Sequence, residues 1–324
     1  MGLLVEGKWQ DQWYSTKETG GKFVRNDAGF RNWITADGSA GPTGSDGFKV
    51  ESGRYHLYLS HACPWANRTT IFRKLKGLED HIDTSVVHHF MADKGWTFEL
   101  EEGATGDRVN GFDYMHQVYT AAKPDYSGRV TVPVLWDKER KTIVSNESSE
   151  IIRMFNSEFA AIGDNSQDYY PEALRPRIDE INERVYHTLN NGVYKCGFAT
   201  TQEAYEDAFN PLFDTLDWLE QILSENRYLA GDTITEADWR LFTTLVRFDP
   251  VYVGHFKCNK KRLRDYPNLW NYTLELYQWP GVAETINLRH IKQHYYASHE
   301  TINPTRIVPV GPDVDYTVPH NRGG

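Results

Sequence analysis

Cysteine is scarce, with three residues in 324, at positions 63, 196 and 258. An odd, widely spaced trio excludes a disulfide framework and points to a reducing compartment, so the chain reads as cytoplasmic. Long apolar runs are missing, and no stretch approaches the length that spans a bilayer. At the start of the chain, Glu6 stands where the myristoylation pattern wants Ser or Thr. Positive charge is in deficit: 35 Lys and Arg face 45 Asp and Glu, for a formal net charge of −10. That balance argues against nucleic acid or an anionic membrane surface as a partner. No glycine-rich phosphate loop, Ser-His-Asp order, internal repeat or low-complexity tract stands out. His290 and His294 have metal-ligand spacing on a helix, but HExxH and a clustered carboxylate are lacking, so no metal site is expected. His88 and His89 fall in a strand-like stretch, where neighbours would face opposite ways.

What is present divides by period. Residues 1–50 are rich in Gly, Ser and Asp yet carry Trp9, Trp13, Phe23, Phe30 and Trp33, which suits an ordered extension rather than a disordered tail. "RYHLYLS" alternates as a strand, a helix follows from Pro64 to about Gly77, and "HIDTSVVHHF" gives a second strand, together a βαβ opening. An aromatic segment, "FDYMHQVYTA", has the makings of a helix inside a long insertion. "RVTVPVLWD" and "KTIVSN" read as a hairpin with Pro133 inside its first strand, a place that demotes a strand to an edge or bulge unless a cis peptide makes a special bend. "NESSEIIRMF" supplies a capped helix. Beyond about residue 165 the period is helical throughout: Phe209, Leu212, Phe213, Leu216, Leu219 and Leu223 make one stripe, and "TEAD" at 235–238 has the form of a capping box. The last stretch, rich in proline and valine, reads as an extended arm. The expected organisation is an N-terminal extension over 1–50, a thioredoxin-like domain over 51–165, an all-helical domain over 166–297 and an arm over 298–324.

The stretch "SHACPWANRTT" at 60–70 sets a cysteine between strand and helix, directly before proline. A helix N-terminus offers orphan backbone N–H groups and a positive dipole end, and both favour thiolate. Lowering a thiol pKa from about 8.5 to about 7 raises the thiolate fraction at neutral pH from roughly 3% to roughly half. Position 66 is alanine, so no CxxC disulfide can close, and the chemistry must be monothiol: attack on a sulfur, then rescue by a thiol from solution. Cys196 and Cys258 lie in segments of the helical domain and read as buried structural thiols.

The order of elements is thioredoxin-like and then all-helical, as in glutathione transferases. Over essentially the whole chain, "ACPWANRT", "GWTF", "SGRVTVPVLWD", "IVSNES", "NNGVYK", "RFDPVYVGHFKC" and "INPT" closely resemble the glutathionyl-hydroquinone reductases, the xi class of that superfamily. The resemblance implies Cys63 as the nucleophile, Tyr194 as the proton donor to the leaving carbon, and Tyr252 and Tyr295 as hydrogen-bond donors to the thiolate. Tyr296, beside Tyr295, is not separable from it by sequence. For glutathione, the co-substrate, the implied binders are Trp96, Arg129, Val130, Thr131, Val132, Glu147 and Ser148. Glu147 and Ser148 would take the γ-glutamyl group at a helix start, and Val132 would pair with the peptide if Val132–Pro133 is cis. The implied activity is glutathione-dependent reduction of S-glutathionyl-hydroquinones by a homodimer that uses no metal and engages neither nucleic acid nor membrane. The rival readings are an omega-like thiol transferase or dehydroascorbate reductase and, from another class, a non-catalytic transferase-like scaffold. The family stretch often reads CPWAH; here position 67 is asparagine, which changes a polar neighbour of the cysteine. His61, two residues before it, is a second position that could tune the thiolate.

Overall fold

The computed structural model describes residues 2–323; Met1 and Gly324, the ends of the expected extension and arm, lie outside the described residues. The chain forms two compact units. The first comprises Met1–Trp13, Asn26–Asp168 and Thr285–His294; the second comprises Tyr14–Arg25, Tyr169–Glu284 and Tyr295–Gly324.

In the first unit the N-terminal region is ordered, with short strands β1 (Leu3–Val5), β2 (Lys8–Gln10), β3 (Trp33–Thr35) and β4 (Gly47–Lys49). Then come β5 (Tyr55–Leu59), α1 (Pro64–Leu75), β6 (Asp83–Val86), α2 (Met115–Ala122), β7 (Gly128–Arg129), β8 (Val134–Asp137), β9 (Thr142–Ser145) and α3 (Ser148–Arg153). The main sheet runs β6-β5-β8-β9, with β5 and β6 parallel across α1 and the other pairs antiparallel. All five residues of β5 are buried, as expected of a strand covered on both faces. Pro133 precedes β8 instead of interrupting it, so the ladder begins where the N–H groups resume. β1 pairs with β7, so the first residues of the chain are stitched to the segment leading into Pro133.

The second unit is helical: α4 (Arg175–Val185), α5 (Gly192–Phe198), α6 (Gln202–Glu225), α7 (Glu236–Arg247) and α8 (Pro267–Tyr277). α9 (Leu288–Ser298) has its first residues in the first unit and Tyr295 onward in the second. The α6 stripe buries Leu212, Phe213, Leu216 and Leu219 completely, each worth on the order of 2 kcal/mol of apolar burial, whereas Phe209 is only half-buried. Thr235 and Asp238 form the capping box at the start of α7, and Asp238 also accepts from the Leu229 N–H and the Tyr272 hydroxyl. Beyond α9 the chain is extended; Tyr316 is buried against Tyr277 and Trp270 and donates to the Val246 carbonyl at 2.8 Å. No helix of the described residues is long and apolar enough to cross a membrane.

Candidate active site

Cys63 is the N-cap of α1, with extended backbone (φ −75°, ψ 121°), Pro64 in the first helical position and the first helical bond running from Asn67 N–H to its carbonyl. Proline costs nothing here, because that N–H has no helical partner in any case. The half-buried thiol donates to the Val132 carbonyl at 3.3 Å, and the Val132–Pro133 peptide is cis. Asn67 is buried and holds Thr285 through its side-chain amide, at 3.1 Å to the hydroxyl and 3.3 Å to the carbonyl. His61 is half-buried, its ring edge-on to that of His290.

The residues expected to bind glutathione fall into two groups. Arg129, on β7, donates a guanidinium N–H to the Gln12 carbonyl; Val130 is buried, and Thr131 is held by the buried Tyr119 hydroxyl, which donates to its carbonyl at 2.9 Å. The same hydroxyl accepts from the Asn146 amide at 3.0 Å, so Tyr119 joins the Thr131 segment to the start of α3. There Glu147 is the N-cap, accepting from the Ser149 N–H at 2.9 Å, and Ser148 is buried with the Arg68 guanidinium 3.4 Å from its hydroxyl. Burial raises the Tyr119 hydroxyl above the ordinary tyrosine range, which keeps it a donor. Sequence reasoning missed Tyr119, Asn146 and Arg68; their signal is weak, because a tyrosine among 19 carries no mark of its role. Trp96 belongs to a separate cluster, buried with its ring stacked on His294 at 4.7 Å.

The three tyrosines expected to act in catalysis come together inside the second unit. The Tyr295 hydroxyl lies 2.5 Å from that of Tyr194 and 3.2 Å from that of Tyr252. Tyr296 faces elsewhere, its ring edge-on to His255 and its hydroxyl directed to the Pro250 carbonyl, so the hydroxyl cluster contains Tyr295. Burial pushes the Tyr252 and Tyr295 hydroxyls well above the ordinary range, against the pull of the buried Arg247 guanidinium. Arg25, from the Tyr14–Arg25 segment, lies 4.9 Å over the Tyr194 ring and bonds Asn191, a further residue the sequence did not flag. A cation over that ring favours the charge a phenol acquires on giving up its proton. Gly197, one turn along α5, allows close packing: a Cβ there would fall 2.0 Å from the Phe256 ring, which packs on Tyr194. Cys196 and Cys258 are buried, and burial and the neighbouring Cys196 thiol push Cys258 well up.

One expectation fails. His88 and His89 do not face opposite ways, because β6 ends at Val86 and the chain turns, stacking the two rings at 4.5 Å against Glu101. With Glu101 they make a cluster of metal-ligand type. As hydrogen-bonded here, His88 Nδ1 accepts from the Phe90 N–H and leaves its proton on Nε2, while His89 Nδ1 donates to Glu101. In this arrangement the His89 imidazole donates to the Glu101 carboxylate and the His88 ring stands beside it.

Residues 62–158 match the glutathione S-transferase N-terminal domain and residues 202–274 the glutathione S-transferase C-terminal domain. The chain is 59% identical to glutathionyl-hydroquinone reductase YqjG of Escherichia coli over 99% of its length and 98% of that protein's. It is 58% identical to glutathionyl-hydroquinone reductase PcpF of Sphingobium chlorophenolicum over 96% of both. The glutathione-bound structure of YqjG superposes with a TM-score of 0.91 at 56% identity over 98% of both chains, and a xi-class transferase from Natrialba magadii with 0.90 at 47% over 99% of this chain and 96% of that one. A lone cysteine at the mouth of a βαβ helix and a cluster of phenols among helices thus occur in a chain that belongs to the glutathione transferase family and, within it, to the xi-class glutathionyl-hydroquinone reductases.

Proposed function

We propose that this chain reduces S-glutathionyl-hydroquinones to hydroquinones at Cys63, and the observation that carries the reading is that cysteine at the N-cap of α1 with alanine three residues on. The Cys63 thiolate attacks the sulfur of the conjugate's glutathionyl group. A sulfur–sulfur bond forms, the carbon–sulfur bond breaks, and its electron pair stays on the ring carbon, which takes a proton from Tyr194. A second glutathione thiolate then attacks the mixed disulfide, releasing Cys63 thiolate and oxidised glutathione. Two glutathione sulfurs are oxidised and one ring carbon is reduced, so the electrons balance.

Tyr194 suits the donor role because the Tyr295 hydroxyl stands 2.5 Å away, ready to bond the phenolate it leaves, and because Arg25 lies over its ring. Tyr252 and Tyr295 are assigned to the thiolate as neutral donors, a role that their upward-shifted hydroxyls fit. Glutathione is assigned to Val132 for its peptide, to Glu147 and Ser148 for its γ-glutamyl group, to Arg129, Val130 and Thr131 along the flanking strand, and to Trp96 as the ring above it. The Arg68 guanidinium beside Ser148 supports an anion there. The reading extends to a homodimer in the cytoplasm and to a glutathione-binding part over 51–165 with a helical part over 166–297. An omega-like thiol transfer would need the same thiol but no acid for a carbon leaving group.

The test is a single turnover. Enzyme mixed with a glutathionyl-hydroquinone and no free glutathione should release one equivalent of hydroquinone and carry one glutathionyl group, located on Cys63 by peptide mass. Added glutathione should discharge it. Failure to form the adduct overturns the covalent route.

A further inference from the structure

Trp96 is held at one remove from the sheet. Its ring stacks on His294 of α9 with the planes 22° apart, and His294 Nδ1–H donates to the His89 carbonyl at 2.8 Å. His89 is held in turn by Glu101, whose carboxylate accepts from both the His89 backbone N–H and its Nδ1–H. Glu101 also draws in the other end of the contact. His290 Nε2, on α9, is 3.4 Å from it and donates to the Glu102 carbonyl at 2.7 Å, and Arg289 donates to that carbonyl at 2.6 Å and lies 3.4 Å from the Glu101 carboxylate. His88 Nε2 stands 3.6 Å from the same carboxylate, and His61 packs edge-on against His290 at 5.6 Å. The turn comes this close because residue 103 is glycine. Its φ is +91°, and a Cβ would fall 2.7 Å from His290 Nε2. One carboxylate therefore gathers donors from the 88–89 segment and from α9, the two elements whose separation decides where the Trp96 ring lies.

We propose that Glu101 is the positioning residue for Trp96, its carboxylate fixing the His89 carbonyl and α9 so that His294 presents the tryptophan ring at one angle to bound glutathione. The inference rests on the assignment of Trp96 to glutathione made above. Burial works against the charge on Glu101, but its bonds from His89 keep the carboxyl below its usual range, while burial holds His89 below the usual histidine range, so the pair at neutral pH is carboxylate and neutral imidazole. Charge-assisted bonds of this kind are about twice as strong as neutral ones, which makes removal of the charge the informative change.

The experiment compares Glu101→Gln, Glu101→Asp, Arg289→Met and Trp96→Ala for glutathione affinity, by calorimetry with reduced glutathione, and for KM and kcat in the second half-reaction. Glu101→Gln should weaken glutathione about tenfold, with the loss in KM rather than kcat, as expected when ground-state binding is removed. Glu101→Asp should recover most of it. Arg289→Met, at the exposed edge of the cluster, should give a smaller shift in the same direction and serves if Glu101→Gln does not fold. If Trp96→Ala weakens glutathione while Glu101→Gln and Arg289→Met do not, the positioning role of Glu101 is overturned and the Trp96 assignment stands. If Trp96→Ala has no effect, both fall. A loss of thermal stability in Glu101→Gln with unchanged affinity also overturns the proposal, since it marks a purely structural bond.

Discussion

In the first unit the thiol proposed as the nucleophile stands at the end of an element, half-buried, with a carbonyl at 3.3 Å, where a helix begins. In the second unit the hydroxyls proposed as donors lie inside the core: Tyr252 and Tyr295 are buried to the limit and Tyr194 nearly so, with Tyr295 bonded to both of the others. The two environments act on ionisation in opposite directions. A helix N-terminus stabilises an anion at modest cost because its donors are orphans in any event. A packed interior penalises the charged form, so a phenol there keeps its proton until something strongly basic takes it. On the mechanism proposed above, these two environments would divide the labour between an anion that attacks and acids that wait.

The largest expected effect tests the first half of that contrast. Cys63→Ser should lower turnover on the order of a thousandfold or more, since a hydroxyl of far higher pKa replaces the thiolate, and it should not lower the melting temperature, serine being a favoured N-cap. Steady-state rates with a glutathionyl-hydroquinone, set beside thermal unfolding, check both statements. Next comes Tyr194→Phe, which should slow hydroquinone release about a hundredfold but spare discharge of a preformed adduct, where the leaving group is a thiolate and needs no acid. Stopped-flow absorbance and intact mass resolve the two steps; equal slowing of both would remove Tyr194 from its role.

A third prediction compares the cores rather than the sites. His56 in β5 and His255 in the second unit are both held down to about 4 from the ordinary 6.5, chiefly by burial. The folded protein keeps them neutral while the unfolded chain takes up protons near 6.5, so their contribution is complete above that pH and is lost as pH falls toward 4. By pH 5 each should have cost about 2 kcal/mol of stability. Urea midpoints across that window should fall in wild type and fall less steeply in His56→Gln; an unchanged slope would mean that His56 does not titrate on unfolding. The smallest effect expected is from Tyr252→Phe, which removes one of the donors proposed for the thiolate and should raise the pH midpoint of Cys63 alkylation by less than about one unit.

What was legible in the sequence was local. The βαβ opening, the hairpin, the α6 stripe and the Thr235–Asp238 box each rest on residues within a turn or two of one another, and Cys63 is reached from its strand, cysteine, proline and helix order alone. What was not legible depends on partners distant in sequence. The turn that stacks His88 on His89 follows from a bond between the His88 N–H and the Thr97 carbonyl, and the Tyr119 hydroxyl ties residue 131 to residue 146. The choice between Tyr295 and Tyr296 was hidden for a related reason. Neighbours on a helix point about 100° apart, and only the packing of α9 decides which of them turns toward Tyr194.

The buried ring of Tyr316 has a consequence for synthesis. The last wall of its slot, Tyr277, is made 39 residues earlier, which at about 5–20 residues per second leaves the slot beside Trp270 and Tyr277 open for roughly 2–8 s on every ribosome. During that interval the nascent chain exposes an aromatic groove that its own last residues are shaped to close, so an early stop codon would release a protein whose helices are complete and whose surface is not.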